Sequence, residues 1–234
     1  MLEALGVSRR YGWRWALRDL SISVSPGETL ALLGKNGSGK TTLLKTFTGL
    51  FRPTEGVVRL HGEQITREAK GRIGLLSHEP MLYAGLSIRE NLVYFAKLFG
   101  MESGDIPARV ECIAETLGIG ERLDEPVRVL SQGVRQRAAL ARALLHDPEI
   151  VLLDEPYSGL DPEAAGRLTN VVRALCEHRG RIVVFTTHDL SKAFEMAERI
   201  AVLAGGRLVY EENVENSSEE DVSASFDEFP GGLA

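Results

Sequence analysis

A glycine-rich segment at residues 34–41 could bind phosphate. It reads GKNGSGKT, which fits the pattern G-x-x-x-x-G-K-[ST], and it directly follows the apolar run 29–33. Its glycines reach positive φ and have no Cβ, so the backbone can turn tightly and point its N–H groups inward. Those groups, with the positive end of a helix that begins near Lys40, would hold phosphate oxygens. The segment therefore predicts a nucleoside triphosphate site, although a ligand-free glycine turn would share several of these residues.

Individual side chains of this segment have separate expected tasks. Lys40 adds a positive charge on the phosphates, and the Thr41 hydroxyl is expected to bind Mg²⁺. The predicted strand before the segment and the predicted helix after it favour a nucleotide site over a simple turn. The candidate nucleotide-binding residues of the segment are Gly34, Asn36, Gly37, Ser38, Gly39, Lys40, Thr41 and Thr42.

Two adjacent carboxylates follow a second apolar run. Residues 150–153 are apolar at every position, as in a strand buried on both faces, and Asp154 and Glu155 come next. Ligands collect at the carboxyl ends of parallel strands, so Asp154 is placed to bind Mg²⁺ and Glu155 to meet an attacking water. A strand that stops at a charged turn would look the same. The phosphate-binding pattern upstream favours the hydrolytic interpretation.

The apolar pattern also predicts the elements that position these residues. Strands are expected at 2–7, 17–24, 29–33, 56–60, 73–76, 150–153 and 182–186, and helices at 40–50, 162–177 and 190–198. Residues 85 to about 143 show helical spacing and predict a helical insert, and a closing hairpin is expected around 205–206. Repeated strand and helix units indicate an α/β fold with a mainly parallel core sheet.

Composition narrows the class of protein. The chain has 234 residues, of which 44% are hydrophobic and 26% charged, values typical of a globular α/β domain or of two small lobes. The two cysteines, Cys112 and Cys176, form no metal-binding spacing and predict a reducing cytoplasm. Without an apolar run of about 18 residues, any membrane role is expected to be peripheral.

Charge is unevenly distributed along the chain. The net charge is -6, and residues 211–234 hold eight acidic residues and no lysine or arginine, which leaves +2 for the remainder. That nearly neutral remainder offers no electrostatic surface for nucleic acid. We therefore expect no nucleic-acid partner, and we expect residues 211–234 to form a disordered acidic tail, although Phe226 and Phe229 would permit docking.

A third motif resembles a known family. Residues 130–137 read LSQGVRQR, which is similar to the LSGGQ-type signature of ATP-binding-cassette ATPases. The aromatic Tyr11, the segment 158–161 (SGLD) and the segment 186–189 (TTHD) match further cassette motifs in type and order. The resemblance covers residues 2–210 and implies an ATP-binding-cassette nucleotide-binding domain with an antiparallel β subdomain and a helical signature subdomain. It also implies ATP and Mg²⁺ as cofactors and ATP hydrolysis as the activity.

The resemblance assigns roles to residues outside the phosphate-binding segment. Tyr11 would stack on adenine, with Trp13 as a possible substitute and a plain surface tyrosine as the alternative. His188 would hydrogen-bond the γ-phosphate, although it could simply help to start the next helix. Asp161 would communicate between paired sites, and it also makes a good helix start with the proline that follows. Glu155 and His188, with His78, are the candidate catalytic residues.

The signature itself implies a site built from two chains. Ser131 and Gly133 open a predicted helix, so Ser131 is a natural N-cap whose hydroxyl and neighbouring N–H groups can meet a phosphate. In cassette proteins this surface faces the γ-phosphate held by the other subunit. Gln132 replaces the usual first glycine of the motif. We therefore expect a homodimer, or paired nucleotide-binding subunits, and slow hydrolysis by a monomer.

His78 departs from the family pattern. The family usually has a glutamine here, where it links Mg²⁺ and water to the transport subunit. A neutral imidazole can accept from a Mg²⁺-bound water or donate one hydrogen bond, and imidazoles change charge near neutral pH. We expect His78 to be the coupling residue and a candidate Mg²⁺ contact, with activity falling as it protonates. A histidine at a loop entry with no such role is the alternative.

These features predict the energy-supplying subunit of a membrane transporter. It would lie in the cytoplasm on the inner face of the cell membrane, beneath separately encoded transmembrane permease subunits. His78 and the segment 86–92 are similar to the ATPase subunit of the haem exporter of cytochrome c maturation, which implies haem export. ABC-2-type exporters of drugs, lipids or polysaccharides are the alternative. A soluble cassette ATPase of translation or DNA repair, or a regulatory subunit without turnover, fits the motifs less well.

Overall fold

The computed structural model describes residues 1–160, 162–177 and 180–227. Its strands are β1 (Leu2–Tyr11), β2 (Arg14–Val24), β3 (Thr29–Leu33), β4 (Glu55–Leu60), β5 (Glu63–Gln64), β6 (Ile73–Leu76), β7 (Ile150–Leu153), β8 (Ile182–Thr187), β9 (Arg199–Ala204) and β10 (Arg207–Asn213). Its helices are α1 (Lys40–Phe47), α2 (Arg67–Lys70), α3 (Ile88–Leu98), α4 (Ile106–Thr116), α5 (Gln132–Leu144), α6 (Pro162–Glu177), α7 (Leu190–Met196) and α8 (Glu219–Asp227).

Two sheets organise the molecule. One has the order β2-β1-β4-β5 with antiparallel pairing throughout, and the other has the order β10-β9-β3-β8-β7-β6. In the second sheet the strands from β9 to β6 are parallel, and β10 adds an antiparallel edge. The expected α/β fold with a mainly parallel core sheet, an antiparallel subdomain and a helical subdomain is confirmed.

The parallel strands are buried on both faces, which explains their continuous apolar sequences. Every residue of β3, β6, β7 and β8 is buried. Alternate residues point to opposite faces: Leu30 and Leu32 face the antiparallel sheet and α1, whereas Ala31 and Leu33 face the core shared with the helical subdomain. Phe47 of α1 is fully buried in the first of these cores. Its replacement by alanine would cost about 3–5 kcal/mol.

The parallel arrangement brings four chain segments to one edge of the sheet. The residues that follow β3, β6, β7 and β8 are the glycine-rich segment, His78, the carboxylate pair and His188. Because parallel strands end on the same side, residues far apart in sequence meet there.

The helical subdomain contains α3, α4 and α5, which run from Ile88 to Leu144, against the insert expected from 85 to about 143. Ser87 starts α3 with a reciprocal capping box that includes Glu90, and Ser131 caps α5 by accepting from Val134 N. The far end of α5 is anchored to the sheet, since the buried Arg142 donates to Leu75 O at 2.7 Å. Burial lowers the pKa of Arg142 to about 10.

The expected disorder of residues 211–234 is wrong for residues 211–227. Residues 211–213 complete β10, and α8 packs on β9 and β10 with Val222 fully buried. Apolar residues on one side of an otherwise acidic segment supply this contact, which a count of charges does not register. Residues 228–234, including Phe229, lie outside the described residues.

Two predicted helices are shorter than expected. Helix α1 ends at Phe47 rather than at residue 50, because the chain turns at Gly49 with φ of 67°. Helix α7 ends at Met196 rather than at residue 198, where the chain enters β9. Within the described ranges, no helix combines the length and apolar character needed to cross a membrane.

Candidate functional site

A cleft of about 870 Å³ opens at the carboxyl edge of the parallel sheet. The antiparallel sheet forms one wall, so the cleft lies between two subdomains. Its lining includes every candidate of the glycine-rich segment together with both carboxylates and both candidate histidines. The lining residues are Tyr11, Arg14, Trp15, Ala16, Gly34, Lys35, Asn36, Gly37, Ser38, Gly39, Lys40, Thr41, Thr42, His78, Asp154, Glu155, Ser158 and His188.

The glycine-rich loop requires its glycines. Gly39 has φ of 114°, and a Cβ there would lie 2.6 Å from Ala16 O of the antiparallel sheet. Gly34 has φ of 152° and abuts Ser38 and Leu203 O. Both positions combine a backbone conformation that favours glycine with a lack of space for a side chain. The loop can therefore present its N–H groups while it packs closely between the two sheets.

Lys40 folds back over this loop. It is 6% exposed, its Nζ donates to Gly34 O at 2.6 Å, and the same atom lies 3.6 Å from Glu155 Oε1. Glu155 is also 3.0 Å from His188 Nδ1 through its other oxygen. The Glu155 carboxylate thus joins residues from the ends of β3, β7 and β8. The structure brings these three candidates into direct contact.

The backbone at Glu155 is strained. Its φ is 47°, an uncommon value for a residue with a side chain. Its N–H donates to Thr186 Oγ1 at 2.7 Å, and that hydroxyl donates to Asp154 Oδ1 at 2.9 Å. Thr186 is fully buried. A single hydroxyl therefore fixes the two adjacent carboxylates in different directions, with Asp154 inward and Glu155 facing the cleft.

Tyr157 anchors the loop after the carboxylates to α7. Its hydroxyl lies 2.9 Å from Met196 Sδ, and Lys192 Nζ lies 5.8 Å from the centre of its ring. Burial raises the pKa of Tyr157 to about 12, so its hydroxyl stays protonated. Because α7 begins just after His188, this contact ties the histidine and the carboxylate loop to the same support.

The donors at the floor of the cleft fit Mg²⁺. Asp154 is 2% exposed, and its Oδ2 is buried without a hydrogen-bond partner among the described residues, as is Ser38 Oγ. A buried carboxylate oxygen without a partner is costly unless a cation or water completes it. Thr41 adds a hydroxyl to the same cleft. Oxygen donors of this kind are those Mg²⁺ prefers, and the exposed His78 lines the same cleft.

Two aromatic residues are candidates to stack on adenine, and only one of them lines the cleft. Tyr11 is 43% exposed, packs edge-on against Phe51 at 5.9 Å and carries the Arg9 guanidinium 4.9 Å from its ring centre. Trp13 is 94% exposed at the tip of the hairpin and does not line the cleft, whereas Trp15 does. The geometry thus favours Tyr11 over Trp13.

The signature residues lie apart from this cleft. Ser131 and Gly133 are not among its lining residues, and Ser131 faces solvent. The same helix start nevertheless contacts the carboxylate loop of its own chain: Gln136 Nε2 donates to Pro156 O at 3.3 Å, and the Gln132 side chain lies where a Cβ at Gly159 would be. Asp161 lies outside the described residues.

Three residues in or behind the cleft matter for the site and received no role from the sequence. Thr186 was noted only as the first residue of the TTHD segment at 186–189, and nothing in that pattern predicts its contact with the carboxylates. Ser158 lay in a recognised motif but received no role of its own. Arg14 could have been found from the position of Tyr11, because it is the residue paired with Tyr11 across the hairpin.

Comparisons with known proteins agree with this geometry. The family model described as ABC transporter matches residues 17–158. The uncharacterized ABC transporter ATP-binding protein YhcH of Bacillus subtilis is 37% identical over 226 residues, covering 94% of this chain and 73% of that protein. The Nod factor export ATP-binding protein I of Paraburkholderia xenovorans is 37% identical over 208 residues, covering 88% of this chain and 68% of that protein.

Solved structures give the same result. The dimeric structure of MJ0796, a bacterial ABC transporter cassette, matches with a TM-score of 0.85 and 26% identity over 92% of this chain and 99% of that chain. A second dimeric structure of MJ0796, in a post-hydrolysis state bound to ADP and Pi, matches with a TM-score of 0.84, at the same identity and coverage. Fold and cleft thus define an ABC-type ATPase. The chain belongs to the ABC transporter ATP-binding family.

Proposed function

We propose that this protein hydrolyses ATP as one of a pair of nucleotide-binding subunits and powers export through separate membrane subunits. The observation that carries the proposal is the position of Glu155, which contacts both Lys40 and His188 at the mouth of a cleft lined by the glycine-rich loop. A nucleotide-binding subunit without turnover would not need a carboxylate held at this point. The regulatory alternative is therefore disfavoured.

Substrate binding follows from the cleft lining. Adenine would stack on the Tyr11 ring, and the phosphates would lie along the loop N–H groups and the start of α1. Lys40 would leave Gly34 O and Glu155 and bind phosphate oxygens. Mg²⁺, held by Thr41 and Asp154, would neutralise phosphate charge when bound. His78 would face the same water shell from the opposite wall.

Release of Lys40 towards the phosphates prepares Glu155 as a base. In the structure its carboxylate is neutralised by Lys40 and faces His188. Once Lys40 binds phosphate, the carboxylate can accept a proton from the attacking water while the water oxygen bonds to the γ-phosphorus, the bond from that phosphorus to the bridging oxygen breaks, and ADP leaves with the electron pair. His188 would turn from Glu155 towards the nucleotide and donate its N–H to a γ-phosphate oxygen. The strained backbone at Glu155 helps to hold its carboxylate in this position.

A second subunit would complete the site. Ser131 is exposed at the positive end of α5, a 13-residue helix, and it does not reach the cleft of its own chain. That arrangement supports closure of Ser131 and Gly133 over the γ-phosphate of a partner. The dimeric MJ0796 structures support a homodimer of this kind.

An exposed aromatic surface formed by α3 and the segment before it fits a membrane subunit. Tyr83 is 51% exposed, Tyr94 40% and Leu98 63%, and the rings of Tyr83 and Tyr94 lie 5.2 Å apart. Large apolar groups exposed together mark interaction surfaces. We propose that a separately encoded permease docks here, which places the protein peripherally on the inner face of the membrane.

For the transported substrate, we propose only a general chemical class. The relatives compared above include Nod factor export proteins and no haem exporter, so haem export and a role in cytochrome c biogenesis have no support from them. They favour the alternative, an exporter of another substrate such as a drug, lipid or polysaccharide. Cargo contacts would lie on the permease, as the resemblance to transporter ATP-binding subunits implies.

The decisive experiment is Glu155→Gln. The amide keeps the size and hydrogen-bonding reach of the side chain and cannot accept the water's proton, so phosphate release should fall at least about 100-fold. ATP binding should persist, and the variant should accumulate as an ATP-dependent dimer in size-exclusion chromatography. Hydrolysis at the parent rate would overturn the mechanism, and absence of the dimer with Mg²⁺ and ATP would overturn the paired site.

A further inference from the structure

We propose that Arg14 binds the phosphates of the nucleotide from the antiparallel sheet, opposite the glycine-rich loop. This inference rests on the proposed nucleotide site and adds a contact to it. The main support is the position of the Arg14 side chain beside the loop. Its Nη2 lies 3.8 Å from the place that a Cβ of Gly37, in the middle of the loop, would occupy. Both residues line the cleft.

The hairpin between β1 and β2 directs Arg14 towards this cleft. Tyr11 and Arg14 are paired across it, joined by the two-residue turn of Gly12 and Trp13, with φ of 56° at Gly12. Directly paired residues of an antiparallel ladder point to the same face. An arginine paired with the ring that stacks on the base therefore reaches over the base-proximal part of the cleft, where the phosphates begin.

The guanidinium of Arg14 is not engaged elsewhere. The two neighbouring arginines are: Arg9 donates to Arg52 O at 2.7 Å and covers the Tyr11 ring, and Arg10 stacks over Trp15 at 5.3 Å. Among the described residues, Arg14 has no hydrogen-bond, ion-pair or ring partner. Its charged head is therefore available to a ligand that enters the cleft.

The charges of the cleft make an anion the fitting ligand. Lys40 lies against the Glu155 carboxylate, so this cation of the loop is partly neutralised before ATP enters. The Arg14 guanidinium carries a permanent charge and a planar fork of N–H donors, which suits bidentate contact with phosphate oxygens. Gly37 opposite offers no side chain in the way. Arg14 and the loop N–H groups would then hold the same phosphates from two sides.

The test compares binding of adenosine, ADP and ATP to wild type, Arg14→Gln and Arg14→Lys. Arg18→Gln is the matched control, because Arg18 is an exposed arginine on the same strand and does not line the cleft. We expect Arg14→Gln to weaken ATP and ADP binding about fivefold to tenfold and to leave adenosine binding unchanged, with Arg14→Lys in between. Competition with a fluorescent ATP analogue, at low and at moderate salt, measures all three.

Each outcome separates the contact from its alternatives. Equal weakening of adenosine and ATP would assign Arg14 to support of the Tyr11 ring and overturn the proposal, as would affinities that match the Arg18→Gln control. A larger loss for ATP than for ADP would place the contact on the γ-phosphate. If wild type and the control both fail to bind ATP, the proposed nucleotide site itself is wrong, which is a different result from an Arg14 variant that binds normally.

Discussion

At the carboxyl edge of the parallel sheet, Glu155 contacts both Lys40 and His188, whereas at the start of α5 Ser131 faces solvent. Both regions carry motifs of similar length, and both begin a helix. At the sheet edge, residues that follow three different strands contact one another, whereas the start of α5 is exposed. The difference suggests a division of labour: a single chain arranges the groups that hold and attack the nucleotide, and the closing phosphate contacts come from a second chain.

One helix, α5, connects the two regions. Helix α5 carries Ser131 at its exposed start, contacts the carboxylate loop through Gln136, and ends in the core beside β6. Helix α5 therefore connects the proposed dimer surface to the loop that follows Glu155. Its two ends should therefore respond differently to substitution.

The largest effect is expected at the exposed start. Ser131→Asp keeps a good N-cap and places a carboxylate where a partner's γ-phosphate would bind, so phosphate release at saturating ATP should fall about 100-fold. ATP affinity of the isolated monomer should not change, because Ser131 does not line its own cleft. Steady-state phosphate release and equilibrium ATP binding measure the two quantities.

Ser131→Asn is the control for this prediction, since asparagine caps helices as well as serine and adds no charge. A smaller loss of turnover is expected for it, at unchanged stability. If Ser131→Asp hydrolyses ATP at the parent rate, the two regions do not meet across a dimer.

The next effect concerns the carboxyl edge of the parallel sheet. Thr186→Val keeps the shape of the side chain but removes the hydroxyl that accepts from Glu155 N and donates to Asp154 Oδ1. Glu155 would lose its fixed direction, and phosphate release should fall about tenfold. A buried N–H would also lose its partner, at a cost of about 1–3 kcal/mol in unfolding free energy.

Thr186→Ser restores the hydroxyl and should recover most of the activity. Urea unfolding and phosphate release on the three proteins distinguish a positioning effect from a loss of folded protein. Full activity in Thr186→Val would show that the backbone alone orients the two carboxylates.

Thr186 also marks the limit of what the sequence could predict. The glycine-rich loop, the carboxylate pair and His188 were predictable because each is a local pattern at the end of an apolar strand. Thr186 acts on residues 31 and 32 positions earlier in the chain, through contacts that arise only when β7 and β8 pair. The acidic helix α8 was not predicted for a similar reason, because the strands that it packs against, β9 and β10, are brought to it only by the fold.

The smallest predicted effect lies at the buried end of α5. His146 follows this helix, and its ring stacks on Phe99 of the helical subdomain at 3.8 Å. Burial lowers the pKa of His146 to about 4, and the charges of Arg142 and Arg109 act in the same direction, whereas the Ile73 backbone and the Asp147 charge oppose them. An unfolded histidine binds its proton near pH 6.5, so between this value and about pH 4 the unfolded chain binds more protons than the folded one. Stability should therefore fall as the pH falls.

His146→Phe keeps an aromatic ring against Phe99 and removes the titration. From pH 7 to about pH 5.5, the wild type should lose about 1 kcal/mol more unfolding free energy than this variant, as measured by urea unfolding at both pH values. Parallel losses in the two proteins would mean that His146 is protonated in the folded state. A larger loss in the wild type would show that acid weakens the packing of the end of α5 against Phe99, a contact that does not involve Glu155.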